Sequence, residues 1–343
     1  MTHSHIHTPG LFDLQVNGYA GVDFNDPSIT PKMLDQALEA MLADGVTGCL
    51  PTIITATPEE LNERFRALDQ AVSNSVLGPT MVPGYHLEGP FLNDGPGYRG
   101  CHPAAAMTDP RIDVINELDA LLSRPILLVT LAPERHGAIE QTALLAAGGK
   151  TIAIAHSDAD FATVRAAADA GLSMSTHLGN GLPQTLPKLQ NTLLAQLSEP
   201  RLSACFIADG HHLSAEALAS LVYLKGINNC ILVSDAVLAA AAQPGPYRFA
   251  GMEIILGDDG AVRQPEGVGL AGSALRLDQA VRNVVEWKIA QLPKAAAMAS
   301  VHPIRAMERS FRHYGINFDM GKIEWNSAME PKVVSPGGVE SVR

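Results

Sequence analysis

Short apolar runs punctuate this chain, and the segments between them carry apolar residues at helical spacing. Residues 11–17 alternate apolar and polar side chains, a strand signal, and stop at Asn17-Gly18. Continuous apolar runs follow at 46–55, 84–88, 126–131, 152–155, 173–176, 204–208 and 231–234. Runs apolar throughout predict strands covered on both faces, as in a parallel sheet. Thr30-Pro31 supplies an N-cap and a proline at the first helical position, and Met33, Leu34, Ala37, Leu38 and Met41 share one face up to Gly45. Thr57-Pro58-Glu59-Glu60 repeats the signal with a capping-box glutamate, and Leu61, Phe65, Leu68 and Val72 continue that helix.

Eight strands alternating with helices predict an α/β fold, a closed (β/α)8 TIM barrel. An open doubly wound sheet is the alternative, but no Gly-rich phosphate fingerprint follows the first strand. The barrel is expected over residues 9–316, with a hairpin insertion at about 243–269 that is rich in Gly and Pro. Gly272-Ser273 predicts the cap of a following helix, and one further helix is expected from about 294 to 313. Residues 1–8 read as a flexible N-terminus despite the alternating His3, His5 and His7, because no apolar scaffold holds them. Residues 317–343 read as a short irregular tail.

The strands are set apart by how they end. The third run delivers Glu88 into Gly89-Pro90, the fifth ends at His156, the sixth at His177 and the eighth at Asp235. A buried carboxylate is costly unless a cation meets it. Two carboxylates and two imidazoles on separate strand tips converge only in a barrel mouth, where they would bind a metal or move a proton. The loop at 93–103, rich in Gly and Pro, carries Tyr98, Arg99 and His102, and loops of that length at strand ends are usually functional.

Composition narrows the partners. With 46% hydrophobic and 17% charged residues over 343 positions, the chain is a folded globule, not a disordered one. No apolar run reaches the roughly 18 residues of a membrane span, and the start has no signal-peptide core. Cys49, Cys101, Cys205 and Cys230 are scattered without zinc-knuckle or disulfide spacing, so a cytoplasmic protein with reduced thiols is expected. A net charge of -12 argues against nucleic acid, and an anionic substrate would need a local basic pocket.

Seven separated motifs carry a family resemblance: Asp13-Leu14-Gln15-Val16-Asn17-Gly18, His86-Leu87-Glu88-Gly89-Pro90, Ala155-His156, Thr176-His177-Leu178-Gly179-Asn180, Ala208-Asp209-Gly210-His211-His212, Ser234-Asp235-Ala236 and Ala271-Gly272-Ser273-Ala274. They resemble the amidohydrolase superfamily and, within it, the N-acetylglucosamine-6-phosphate deacetylases. The resemblance implies hydrolysis of the acetamide of N-acetylglucosamine 6-phosphate to glucosamine 6-phosphate and acetate. An unphosphorylated N-acetyl sugar or another N-acyl compound is the alternative substrate. The family's accessory β-sandwich, built from both chain ends, is expected to be absent or vestigial here.

By the same resemblance, Glu88, His156 and His177 hold one divalent metal ion per subunit, Zn2+ first, with Fe2+, Co2+ or Mn2+ as alternatives. Gln15 and Asn17 stand where the wider superfamily has a His-x-His pair for a second metal, and amides are poor ligands for a transition metal beside imidazole. Asp235 is implied as the base and His102 as the group that meets the acetyl carbonyl. Asn180, Gly181, His212 and Ala271 are implied as substrate contacts. In the family an arginine reaches the phosphate from the partner of a homodimer; the corresponding position here is Lys188, which keeps the charge but lacks the guanidinium fork.

Overall fold

Eight strands form one parallel sheet in which each pairs with its neighbours in chain order: Leu11–Val16, Val46–Ile54, Tyr85–Glu88, Ile126–Leu131, Thr151–Ile154, Leu172–Ser175, Ser203–Phe206 and Cys230–Leu232. The computed structural model describes residues 6–265 and 269–342. The sheet closes because the chain beyond the eighth strand returns to the first. Val16 and Ala236 form a parallel bridge, Asp235 N–H donates to the Gln15 carbonyl at 2.9 Å, and Asn17 N–H donates to the Ala236 carbonyl at 2.7 Å. The architecture is therefore a (β/α)8 barrel, and its closure sets Gln15 and Asn17 beside Asp235.

The outer helices form where the apolar spacing predicts. Pro31–Ala43 buries Leu34, Ala37, Leu38 and Met41, and the Thr30 hydroxyl accepts from Met33 N–H. Pro58–Asn74 buries Leu61, Phe65, Leu68 and Val72 behind a complete Thr57–Glu60 capping box. Each such buried side chain contributes roughly 1.5–3 kcal/mol relative to exposure, so the apolar face outweighs the caps in holding a helix to the barrel.

Tertiary contacts override the sequence pattern in several places. The helix expected over 294–313 is two, Leu292–Met298 and Val301–His313. The Ala299 carbonyl between them accepts from Phe12 N–H of the first strand at 2.8 Å and so is withdrawn from a helical ladder. Ser273 caps no helix: its hydroxyl donates to the Ser234 carbonyl at 2.6 Å and its N–H to the Asp235 carbonyl at 2.9 Å, and the helix starts later, at Leu277–Glu286.

The insertion is a hairpin, Gly245–Phe249 against Met252–Leu256, extended by a third strand at Val262–Arg263. Residues 266–268 lie outside the described residues. Its inner face, Phe249, Ile254, Leu256 and Val262, packs on Ile54, Val237 and Leu238 and builds a wall at the barrel mouth.

The C-terminal segment is not irregular. Lys322–Trp325 lies between Ile6–Thr8 and Pro331–Ser335 in an antiparallel sheet, and Ile316–Asp319 pairs with Gly338–Val342. Trp325 is buried and donates its indole N–H to the Thr8 hydroxyl at 2.9 Å, which ties the two chain ends together. The pattern missed these strands because each is short and buries only a side chain or two. The flexible N-terminus is likewise corrected for residues 6–8, which form a strand; His3 and His5 lie outside the described residues, and His7 is exposed, 3.6 Å from a Glu324 oxygen.

Candidate active site

Glu88 is the last residue of its strand, and His156, His177 and Asp235 each lie just beyond theirs with φ of 49°, 30° and 48°. Such left-handed backbone at non-glycine residues costs on the order of 1–3 kcal/mol and clusters at functional sites. All four side chains are buried at the C-terminal end of the barrel.

Glu88, His156 and His177 each offer one ligand atom, and these atoms lie within 4.8 Å of one another. His177 Nε2 is 2.8 Å from Glu88 Oε1, and His156 Nε2 is 3.7 Å from the same oxygen. His156 Nδ1 donates to the Tyr98 carbonyl at 2.6 Å. A carbonyl only accepts, so the neutral ring presents a lone pair at Nε2, and two acceptor atoms face each other in a buried space. A divalent cation resolves that opposition, and two imidazoles with one carboxylate suit a transition metal. The residues present therefore fit a metal ion.

The electrostatics follow from burial. Burial alone would raise the Glu88 carboxyl, but the His156 and His177 rings hold it well below the usual carboxylate range. His177 loses charge stability to burial and regains more from Glu88, so its pKa is raised. Burial, reinforced by the neighbouring His156, pushes His102 down to about 3. Asp235 is pushed up to about 6, first by burial and then by the Glu88 charge. Asn17 Nδ2 donates to Asp235 Oδ1 at 2.8 Å, which leaves Oδ2 without a partner from Asn17.

His102, in the loop after Glu88, places Nε2 3.8 Å from Glu88 Oε2 and Nδ1 2.9 Å from the Thr55 hydroxyl. Thr55 has a single proton, and the Glu88 carbonyl, at 3.3 Å, competes for it. A Thr55 proton turned to His102 Nδ1 puts the ring N–H at Nε2, facing the site, whereas the same proton given to the Glu88 carbonyl puts it at Nδ1.

These groups open onto a cavity of about 710 Å³ lined also by Asn17, Arg99, Asn180, Gly181, His211 and His212. His212 Nδ1 lies 2.7 Å from Asp209 Oδ2, which fixes the ring with Nε2 free. Asn180 Nδ2 donates to the His177 carbonyl at 3.0 Å. A Cβ on Gly181 would lie 2.5 Å from His156 Nδ1, so only glycine lets this segment pass over the ring. The hairpin insertion contributes Phe249 and Gln264 to the lining, and its Asp259 carbonyl is 3.1 Å from His211 Nε2.

No family profile matches the chain. It is 33% identical over 299 residues, 87% of its own length and 77% of the relative's, to N-acetylgalactosamine-6-phosphate deacetylase of Escherichia coli O157:H7. It is 30% identical over 324 residues, 90% of its length and 76% of the relative's, to N-acetylglucosamine-6-phosphate deacetylase of Bos taurus. The chain belongs to the N-acetylglucosamine-6-phosphate deacetylase family. Its structure matches N-acetyl-D-glucosamine-6-phosphate deacetylase from Mycobacterium smegmatis with a TM-score of 0.86 at 25% identity, covering 98% of this chain and 88% of that one. An enamidase of the amidohydrolase superfamily shares the fold at a TM-score of 0.53 and 14% identity.

Of the residues that the deacetylase resemblance implies, the cavity gathers Glu88, His102, His156, His177, Asn180, Gly181, His212 and Asp235. Two do not join them. Lys188 is exposed and stands outside the cavity lining of its own chain, and Ala271 is buried against the hairpin wall while its neighbours Leu270 and Gly272 line the cavity. Of the second-metal positions, Asn17 lines the cavity and Gln15 does not; Gln15 Nε2 and Asn17 Oδ1 are buried without a hydrogen-bond partner among the described residues. Sequence reasoning missed Phe249 and Gln264, whose places depend on how the hairpin folds back. It noticed Arg99 only as a member of a long loop.

Proposed function

We propose that this deacetylase-family barrel hydrolyses the acetamide of N-acetylglucosamine 6-phosphate, giving glucosamine 6-phosphate and acetate. The observation that carries the reading is the buried Glu88–His156–His177 group beside Asp235 in one cavity. A divalent ion held by Glu88, His156 and His177 supplies Lewis-acid polarisation of the carbonyl and acidifies water. Zn2+ suits the two imidazoles and one carboxylate. Amides at Gln15 and Asn17 favour one ion over two.

The chain's own groups do the rest. Asp235, oriented by Asn17, takes a proton from the attacking water at Oδ2 and delivers it to the leaving amine. His102 donates from Nε2 to the oxygen on which negative charge develops. Asn180, Gly181 and His212 meet the sugar phosphate, with His212 held by Asp209. Lys188, exposed and outside its own cavity, would reach the phosphate only from a neighbouring subunit of a homodimer. Four free cysteines fit a reducing cytoplasm. Among the described residues no helix is long and apolar enough to cross a membrane.

The 33% identity to a galactosamine enzyme favours the 4-epimer as a second substrate. The test is acetate release from N-acetylglucosamine and N-acetylgalactosamine, each with and without a 6-phosphate. Turnover of the phosphorylated sugars is expected, and turnover of neither would overturn the reading.

A further inference from the structure

Among the described residues lining the cavity, Arg99 is the only lysine or arginine. The other ionisable groups there are Glu88, Asp235, the thiol of Cys101 and five histidines, in a chain whose net charge is -12. A phosphorylated substrate brings about two negative charges toward two buried carboxylates. The divalent ion of the reading above, on which this inference rests, faces those carboxylates at the amide end, so Arg99 is the permanent cation that the lining offers to the phosphoryl charge.

The backbone on either side of Arg99 is clamped to the metal-binding residues. The Tyr98 carbonyl accepts from His156 Nδ1 at 2.6 Å, and the Tyr98 hydroxyl donates to Asp158 Oδ1. His102 N–H donates to the Arg99 carbonyl at 3.1 Å. A Cβ on Gly100 would come within 3.0 Å of His156 Cε1, and one on Gly97 within 2.6 Å of Pro183 Cα, so the loop leans on both the His156 ring and the segment after Gly181.

The Arg99 side chain, by contrast, is exposed and has no hydrogen-bond or ion-pair partner among the described residues. Nearby carboxylates are committed elsewhere. Asp158 takes the Tyr98 hydroxyl, Glu134 takes Asn93 Nδ2, Ser157 Oγ and Asp158 N–H, and Asp94 faces Arg135.

We infer that Arg99 is the specificity-determining cation for the substrate's phosphoryl group, supplied by the chain's own subunit from the loop that also carries His102. A guanidinium presents two parallel N–H donors to a phosphoryl group, the fork that Lys188 lacks. Because the anchor is shared with His156, a gripped phosphate also fixes the distance between the sugar's distal end and the amide.

The experiment compares Arg99→Ala, Arg99→Lys and Lys188→Ala on an N-acetyl amino sugar with and without the 6-phosphate, with inorganic phosphate as a competitive probe. Arg99→Ala is expected to raise KM for the phosphorylated sugar about ten- to a hundredfold, to leave the unphosphorylated sugar little changed, and to weaken phosphate inhibition in parallel. Arg99→Lys is expected to fall between, with metal content and melting temperature unchanged in both variants. Equal losses on both sugars, or a selective loss in Lys188→Ala that Arg99→Ala lacks, would overturn the assignment. Mixing Arg99→Ala with Asp235→Asn subunits should restore nothing, because the lost cation belongs to the same site; restored activity would place Arg99 in the neighbouring site instead. Acetate release by the unaltered chain tests the underlying reaction separately, so failure of either idea is distinguishable.

Discussion

His156 Nδ1 donates a 2.6 Å hydrogen bond to the backbone carbonyl of Tyr98, 58 residues earlier in the chain. The bond settles which nitrogen of His156 faces Glu88. It also moors the 93–103 loop to the Glu88–His156–His177 group, so that His102 and the backbone of Arg99 are positioned by the same ring. Partners of this kind orient metal-binding histidines and raise their basicity.

Removal of either histidine tests the ligand set. His156→Ala or His177→Ala should bind no stoichiometric divalent ion and retain only background acetate release, whereas the unaltered chain should hold one ion. Metal analysis by mass spectrometry reads both, and two tightly held ions per chain would contradict the amide argument at Gln15 and Asn17.

Asp235 sets the pH dependence. Its carboxyl, pushed up to about 6, must be ionised to accept a proton, so kcat/KM should fall as pH drops through an acid limb. A bound cation lowers this pKa, so the limb lies no higher than about 6. For stability the sign is opposite. The folded state binds this proton more tightly than the unfolded chain, so the cost of burying the charge is present above pH 6 and is relieved as pH falls toward 3.8, the unfolded value. Activity should therefore be lost over a pH range in which protonation of this group makes the fold more stable. Asp235→Asn should keep the ion and lose at least about a hundredfold in kcat. A limb above pH 7, or near-normal turnover in the variant, would move the base elsewhere.

Thr55 tests the tautomer of His102. Thr55→Val cannot donate to Nδ1, so the N–H at Nε2 that meets the oxyanion is no longer favoured. kcat is expected to fall about tenfold or more with KM and metal content unchanged. Thr55→Ser should restore it. Equal activity in the Val and Ser variants would assign Thr55 a packing role only.

Trp325 tests whether the chain-end sheet is part of the folding unit. Trp325→Ala removes a buried side chain and should cost about 3–5 kcal/mol in denaturant unfolding. Trp325→Phe loses mainly the bond to Thr8 and should cost about 1 kcal/mol. An unchanged midpoint in the Ala variant would mean that the sheet unfolds separately from the barrel.

The sequence by itself determined the barrel, the chemical character of its mouth and the four strand-end residues Glu88, His156, His177 and Asp235. These are local properties: apolar runs report burial, and a polar residue ending such a run has only the barrel mouth to enter. What only the tertiary structure decided depends on pairs distant along the chain. Asn17 meets Asp235 across 218 residues because the barrel closes between its first and last strands. The helix expected over 294–313 breaks because Phe12 takes the Ala299 carbonyl, and the expected irregular tail becomes sheet because Ile6–Thr8 supplies a partner edge. Arg99 and Lys188 are both cations in loops, alike in local pattern. One lines the cavity and the other stands outside it because the 93–103 loop is moored to His156, and that contact exists only once strands separated by more than 50 residues have come together.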